Sequence, residues 1–400
     1  MTYKFPQKYA NAVEEGLLPG FALLAAKNDE TIYSHAAGVR SQLQPGNPAF
    51  EMDTVLAIAS CTKLLTAVLV MQVVQDGLIT LDDPEPVARL LPKTVSHGIL
   101  EGFDKNTDKP ITKPAEVPIT LRMLLAHTAG GEYDVMSESL TKWRTQRGEQ
   151  PWVGATVEDK TSVPLTYQPG SGWRYSPSSD LAGLLIERLT GRTLDELLIE
   201  RILKPLGITE GEFTFFPDKY PGPKARKSGM NTLDENTLAP PAKELAEFDP
   251  TFGATVCLGG GGSYATPEAY FAFIKAVARR DSKLLNEASW DEMFRPQLNQ
   301  QCEDSMNAWI RSSPYISRTV GAGLPDELRK SWSFAGMVCV EGREGVVNEG
   351  MIMWGGMPSI LWFIDPKAET CGICFVQILP PMAPAVMALH HVFRQEVCGL

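Results

Sequence analysis

The sequence predicts an α+β fold, in which an antiparallel sheet flanked by helices is built from both ends of the chain and a mostly helical lobe is inserted between them. Three observations predict it. Two apolar runs near the N-terminus, residues 21–26 and 31–36, are separated by Asn28-Asp29-Glu30 and read as a β-hairpin. Strand-like runs return only after residue 333, and from about 85 to 250 helical patches alternate with Pro- and Gly-rich connections. The expected lobes are therefore residues 1–84 with 251–400, and residues 85–250, with a cleft at their junction.

Taken in order, a helix is expected over residues 11–19, ended by Pro19-Gly20, and the hairpin follows. Residues 59–77 read as one helix buried on nearly every side, because only Thr66 and Gln72 are polar between Leu64 and Val74. A short helix capped by Thr120 runs to Gly130-Gly131. Residues 168–180 form a turn-rich loop leading into a helix over 181–190, capped by Ser179 or Asp180 and stopped by Gly191. The glycine run 259–262 reads as close backbone packing before a helix that Thr266 caps and Pro267 begins. Strands are expected over 333–340, 346–349, 360–364 and 372–379, with residues 353–359 just before one of them, and a last helix over 385–397.

Composition narrows the function. Four hundred residues with 44% hydrophobic and 21% charged side chains suit a globular enzyme-sized body. A net charge of −11 argues against nucleic acid or an anionic membrane surface as a partner, since either requires a basic face. The first residues, Met1 to Gln7, carry no apolar secretion segment, and no apolar stretch reaches the ~20 residues that span a bilayer. Seven widely spread cysteines fit reduced thiols, so the chain is expected in the cytoplasm. Cys371 and Cys374 form a Cys-x-x-Cys, but with no second pair and an apolar strand around them they carry no metal or redox expectation. Nothing in the sequence calls for a cofactor.

The chemistry starts at Ser60 and Lys63, at the head of the buried helix. A lysine entering such a helix must be paired, neutralised or used. Three residues of helix put both side chains on one face, so the amine reaches the hydroxyl and can take its proton, turning a weak alcohol into a nucleophile. The free N–H groups at a helix start favour negative charge developing there. Ser-x-x-Lys by itself is a common string, mostly an N-cap followed by a surface lysine; here an apolar run follows. Tyr175, in the rigid 168–180 loop, is the second reactive candidate, because a phenol beside an ammonium is stabilised as phenolate and can act as a base. His127 reads as a tie for the loop after it, since no carboxylate stands at a spacing that would orient it. His390 and His391 read as structural.

Together these segments resemble the serine β-lactamase-like superfamily, in its class C, penicillin-binding and esterase branch. Its Ser-x-x-Lys motif falls on Ser60 and Lys63, its Leu-Leu-x-His-Thr-x-Gly stretch on residues 124–130, and its Tyr-x-Asn motif on Tyr175-Ser176-Pro177. Its strand motif falls on Trp354-Gly355-Gly356. Two departures turn the resemblance away from lactamases: Pro177 stands where an asparagine contacts substrate, and Trp354 where a basic residue attracts a carboxylate. Trp-Gly-Gly-x-Pro, together with the Tyr175 to Asp180 spacing, is similar to the fungal acyltransferases of polyketide biosynthesis, of the lovastatin side-chain transferase type.

That resemblance implies a β-lactamase/transpeptidase-like fold and a serine acyltransferase of secondary metabolism. The acyl group comes from a thioester donor, often on an acyl carrier protein, and passes through acyl-Ser60 to a hydroxyl of a bulky apolar small molecule. Ser60, Lys63 and Tyr175 are the expected catalytic residues. Backbone N–H groups of Ser60 and Met357 would form the oxyanion hole, with Gly355 and Gly356 allowing close approach. Trp354, Trp173, Met357, Tyr133 and Trp143 are expected to line an apolar cleft that keeps water from the acyl-enzyme. The alternatives are a carboxylesterase using the same three residues and a binding protein that has lost the chemistry.

Overall fold

The computed structural model describes residues 3–400. Its core is a seven-stranded, wholly antiparallel sheet. The strands are β1 (Gly20–Lys27), β2 (Glu30–Gly38), β3 (Lys330–Trp332), β4 (Met337–Cys339), β5 (Ile352–Gly356), β6 (Ile360–Asp365) and β7 (Thr370–Phe375), in the order β3-β4-β5-β6-β7-β1-β2. The N-terminal hairpin thus closes on the last strand of the C-terminal meander, through Ala22–Phe375 to Lys27–Thr370. Buried on nearly its whole length, β1 is central, whereas β2 is a solvated edge.

Alternation along β7 decides which helix covers which face. Cys374 meets Tyr9 of α1 (Phe5–Glu14), and Cys371, three residues earlier and so on the other face, lies towards Lys275 of Pro267–Ala278. The C-terminal helix Pro384–Cys398 packs beside α1, with Tyr9 Oη 2.6 Å from His390 Nδ1 and His390 Nε2 2.7 Å from the Ser359 carbonyl. Burial holds His390 down at about 4, so it stays neutral there, in the structural role expected of it.

Helix α2 (Thr62–Gln75) is buried from Thr62 through Val73 and packs against α3 (Ser178–Thr190) of the intervening helical segment. Each polar side chain in it has a partner. Thr62 Oγ1 bonds the Ala59 carbonyl at 2.6 Å, Thr66 Oγ1 the Gly259 carbonyl at 2.6 Å, and Gln72 Nε2 the Arg201 and Leu284 carbonyls at 3.1 and 3.0 Å. That is how an all-round buried helix carries polar groups without leaving donors unsatisfied.

Several boundaries differ from the expectation. The first helix is Phe5–Glu14, started by Pro6 and ended near Gly16 at φ +74°. Of residues 333–340, expected as one strand, 337–339 form β4, while 333–336 make the turn from β3, with Ser333 N–H and Oγ both donating to the Gly336 carbonyl. Residues 346–349 lie in a glycine-punctuated turn carrying a single bridge, Arg343 to Val347. Residues 372–379 divide between β7 and the short strand Ile378–Leu379, which pairs in parallel with Asn231–Thr232. Residues 353–359 do lie just before β6, but Trp354-Gly355-Gly356 is itself part of strand β5, which was not expected. The helix expected from 181 begins at Ser178 behind Pro177, so neither Ser179 nor Asp180 caps it.

Gly356 lets the end of β5 reach the head of α2: a Cβ there would stand 2.4 Å from the Ile58 carbonyl oxygen and 3.5 Å from Cys61 Sγ. Since backbone cannot give way at that distance, Gly356→Ala is expected to cost about 2 kcal/mol or more by overpacking. Gly222→Ala, whose Cβ would meet only Arg226 at 4.0 Å, should leave the unfolding midpoint unchanged. Thermal unfolding of both variants checks the contrast.

Candidate active site

Ser60 sits in a 3-10 turn (Ala59–Cys61) feeding α2, directly after Ala59, whose φ of +45° is left-handed backbone that a non-glycine residue adopts only when its surroundings hold it. The turn places Lys63 one step down the same face. Lys63 Nζ lies 3.3 Å from Ser60 Oγ, 3.1 Å from Tyr133 Oη and 2.7 Å from the Gly260 carbonyl oxygen. Only 6% of the residue is exposed. Tyr175 Oη donates to Ser60 Oγ at 2.7 Å, and the amine stands 4.7 Å above the Tyr175 ring. The three residues expected to react are therefore in mutual contact.

The glycine run makes that contact possible. Gly260 offers its carbonyl to Lys63 and its N–H to Asp180 Oδ1 at 2.8 Å, so one residue links a buried carboxyl to the amine. A Cβ on Gly260 would fall 2.2 Å from Asp180 Oδ2, and one on Gly259 2.7 Å from the Ser179 carbonyl. Asp180 is fully buried, and burial, outweighing Lys63, the Gly260 N–H and Lys160, raises its carboxyl above the usual range. The sequence reading of the glycine run as tight packing holds, but the roles of Gly260 and Asp180 were missed, because a residue assigned to a helix cap gives no sign of its distant partner.

Tyr175 is caged by aromatics. Its ring centroid is 5.0 Å from that of Trp354 and 5.2 Å from those of Tyr133 and His127, and Trp354 Nε1 approaches Tyr175 Oη at 3.4 Å. Trp354 thus presents a neutral donor to the phenol oxygen. His127, at φ +58°, bonds Ser176 Oγ at 3.0 Å through Nδ1, and its carbonyl takes Tyr167 Oη at 2.9 Å and the Arg174 N–H at 3.3 Å. Burial, with Lys63 adding to it, pushes this imidazole well below its usual value, which makes it a poor proton acceptor and a good tie. Tyr133 is pushed well above the usual phenol value, by burial first and then by Asp180, so it meets Lys63 as a neutral hydroxyl.

The cleft above Ser60 holds about 360 Å³ and is walled largely by apolar side chains. Of the expected lining residues, Trp354, Gly355, Gly356, Met357 and Tyr133 are there. Trp173 is not: it is fully buried behind the site, 5.5 Å from the Trp332 ring and 5.9 Å from those of His127 and Trp309. Trp143 is not either, being packed with Leu100, Leu140 and Val163 in a separate small core and against His97 at 4.9 Å. Both follow the common fate of large aromatics, which is to fill interior space. The walls that were missed include Met136, Trp152, Phe252 and Met382. Trp152 and Phe252 lie in Pro-rich connections with no periodicity to mark them.

A serine, lysine and tyrosine meeting at the head of a buried helix, beside the sheet strand β5, define a serine-reactive acyl-transfer fold. The beta-lactamase family model matches residues 5–395, and the chain belongs to that family. It is 31% identical over 394 residues to a lovastatin esterase of Penicillium rubens, covering 96% of each chain. It is equally 31% identical over 399 residues to a monacolin J acid methylbutanoyltransferase of Aspergillus terreus, covering 97% of this chain and 94% of that one. The unliganded simvastatin synthase of Aspergillus terreus superposes with a TM-score of 0.89 at 30% identity, over 99% of this chain and 97% of the other. The resemblance read from the motifs is borne out.

Glu132, beside Tyr133 and 8% exposed, is raised from 4.5 to about 7 by burial, which outweighs Arg174 and the hydroxyls of Ser137 and Thr166. The fold prefers the protonated form. Its contribution to stability is complete below about 4.5 and is lost as pH rises through about 7. Glu132→Gln, neutral throughout, should therefore gain on the parent as pH climbs from 5 to 8, with the two unfolding midpoints diverging by about 2–4 °C. Parallel melts across that range check it; a constant difference would show that Glu132 does not titrate there.

Proposed function

We propose that this chain is a serine acyltransferase that moves an acyl group from a thioester, through acyl-Ser60, to the hydroxyl of a bulky apolar secondary metabolite. The observation that carries the reading is the 2.7 Å Tyr175–Ser60 bond with Lys63 at 3.3 Å, at the floor of an apolar cleft. In the first half-reaction Ser60 Oγ attacks the thioester carbon, its proton passes to Lys63 or Tyr175, the C–S bond breaks, and the departing sulfur takes the proton. In the second, Tyr175 accepts the proton of the acceptor hydroxyl as that oxygen attacks the acyl carbon, and the proton returns to Ser60 Oγ when the serine ester breaks.

The contacts of Lys63 suit both stages. A neutral amine has two N–H bonds and a lone pair, enough to donate to Gly260 and Tyr133 and accept from Ser60, while the protonated amine donates to all three. For the oxyanion hole we assign the backbone N–H groups of Ser60 and Met357. The supporting feature is the approach that Gly356 allows between β5 and Ile58, which brings both residues to the wall of one cleft. Trp354 bonds the phenol oxygen without adding charge.

Relatives named as methylbutanoyltransferase and esterase stand at the same 31% identity, so a carboxylesterase with these three residues is the second reading. The inactive-binding reading is disfavoured by the contact among all three reactive groups. An acyl carrier protein as donor and residence in the cytoplasm, the setting that the cysteines suggest, belong to the same proposal. Among the described residues, no helix is long and apolar enough to cross a membrane.

Intact-mass spectrometry after exposure to a butanoyl thioester should show one acyl adduct on the parent and none on Ser60→Ala. Turnover should fall at least about 10³-fold in Ser60→Ala and Lys63→Met, and about 10²-fold or more in Tyr175→Phe. Adding a cyclic alcohol should convert the released acid into ester; free acid alone, at every alcohol concentration, would favour the esterase. An equal adduct on Ser60→Ala would move the nucleophile elsewhere.

A further inference from the structure

Behind the cleft lies a second buried amine. Lys160, on the short helix Val157–Thr161, is 1% exposed, and its Nζ is held by two backbone carbonyls, Trp152 O at 2.8 Å and Phe252 O at 2.8 Å. These carbonyls belong to two connections 100 residues apart in sequence, and the side chains of both residues line the cleft. Trp152 has φ +56° and Phe252 φ +51°, left-handed backbone that is costly for bulky residues and persists where surroundings impose it.

Three further hydrogen bonds join the two connections: Thr255 N–H and Oγ1 to the Ala155 carbonyl at 2.9 and 3.3 Å, and Gly154 N–H to the Phe252 carbonyl at 3.5 Å. On the inner side Trp152 N–H meets Asp134 Oδ2 at 3.1 Å, an oxygen that also holds Arg144 Nε at 2.9 Å, and the Trp152 ring lies 4.8 Å from that of Tyr133. Tyr133 in turn touches Lys63. The amine of Lys160 therefore holds the two aromatic lips of a cleft whose floor is Ser60, through both backbone carbonyls and by standing 5.3 Å over the Trp152 ring.

We infer that Lys160 is a positioning residue that latches the Trp152 and Phe252 lips together and so sets the partition of acyl-Ser60 between alcohol and water. The partition half of this inference rests on the acyl-transfer reading above; the latch does not. A hydrophobic lip excludes water only while it is held in place. Releasing it admits water to the acyl-enzyme and leaves Ser60, Lys63 and Tyr175 where they are.

Lys160→Met keeps the length and apolar stem of the side chain and removes the donors; Lys160→Gln keeps an amide able to bond one carbonyl. Amide hydrogen exchange of peptides spanning residues 150–156 and 250–256 should accelerate about 10-fold or more in Lys160→Met and by less in Lys160→Gln, with α2 unchanged. With a butanoyl thioester of N-acetylcysteamine and cyclohexanol, the ester-to-acid product ratio should fall at least about 5-fold in Lys160→Met while the rate of Ser60 acylation stays within about 3-fold. Unchanged exchange in both variants overturns the latch, as does loss of the fold in both, which would make Lys160 a residue of general stability. Accelerated exchange with an unchanged product ratio overturns the partition role. If the parent makes no ester at all, the transferase reading fails and the exchange result still decides the latch.

Discussion

The contact on which the site depends is the one between the Lys63 amine and the carbonyl of Gly260, at 2.7 Å. A helix buried on all sides cannot carry an amine at its head unless that group finds oxygen atoms, and solvent is not there to supply them. One oxygen comes from a neighbouring backbone; the other two are hydroxyls, Ser60 Oγ, the proposed nucleophile, and Tyr133 Oη. For a carbonyl to arrive at hydrogen-bond distance its own strand must come close, and that requires residues without Cβ at 259 and 260. The same residue then needs a partner for its N–H, which Asp180 provides from the first turn of α3. A single buried amine thus dictates the glycine run, the buried acid and the way α3 begins behind Pro177.

Around this knot the fold has a simple division of labour. The sheet contributes β5, whose end comes against Ile58 through Gly356 and whose Trp354 bonds the Tyr175 oxygen. The helical segment contributes Tyr133, just before the 3-10 turn Asp134–Met136, and Tyr175, on the loop before α3, and His127 binds the second of those loops through Ser176. Three aromatic rings within 5.2 Å of the Tyr175 ring leave it little room to turn, so its hydroxyl points at Ser60 by packing as much as by hydrogen bonding. Preorganisation of this kind is what a proton acceptor needs if it is to serve two half-reactions without rearranging.

How much of this was legible depended on whether a residue's role was written near it. The hairpin, the buried helix, the Thr120 and Thr266 caps and the Ser60–Lys63 spacing are local facts, and the structure reproduces them. Tyr175 was found through a motif, and its partner Ser60, 115 residues away, through the same family pattern. Strand limits after residue 330 were misplaced because glycine turns there interrupt an otherwise apolar run that periodicity reads as continuous. The cleft was hardest. Trp173 and Trp143 were expected in it because they are large and near motifs, yet core space claimed them, while Trp152 and Phe252 line it from connections that carry no pattern. A wall is a property of where loops meet, and one sequence says little about that meeting.

The esterase and the transferases among the relatives pose a physical question that the three reactive side chains cannot answer. In the proposed mechanism Ser60, Lys63 and Tyr175 would perform the same proton transfers whether water or an alcohol attacked the acyl-serine, so their geometry leaves the choice of nucleophile open. The choice falls to relative occupancy. Water is present in solvent at a concentration no alcohol approaches, and each factor of ten in that excess takes about 1.4 kcal/mol of differential binding or exclusion to offset. Burying some tens of Å² of an apolar acceptor against the cleft walls offsets one such factor, at about 25 cal/mol per Å², so a bulky acceptor offsets several, provided those walls stay together while the acyl-enzyme waits. On the proposed mechanism the distinction between transfer and hydrolysis would fall to residues that never touch the proton, such as the cleft-lining Met136, Trp152, Phe252 and Met382, and to whatever keeps them in register.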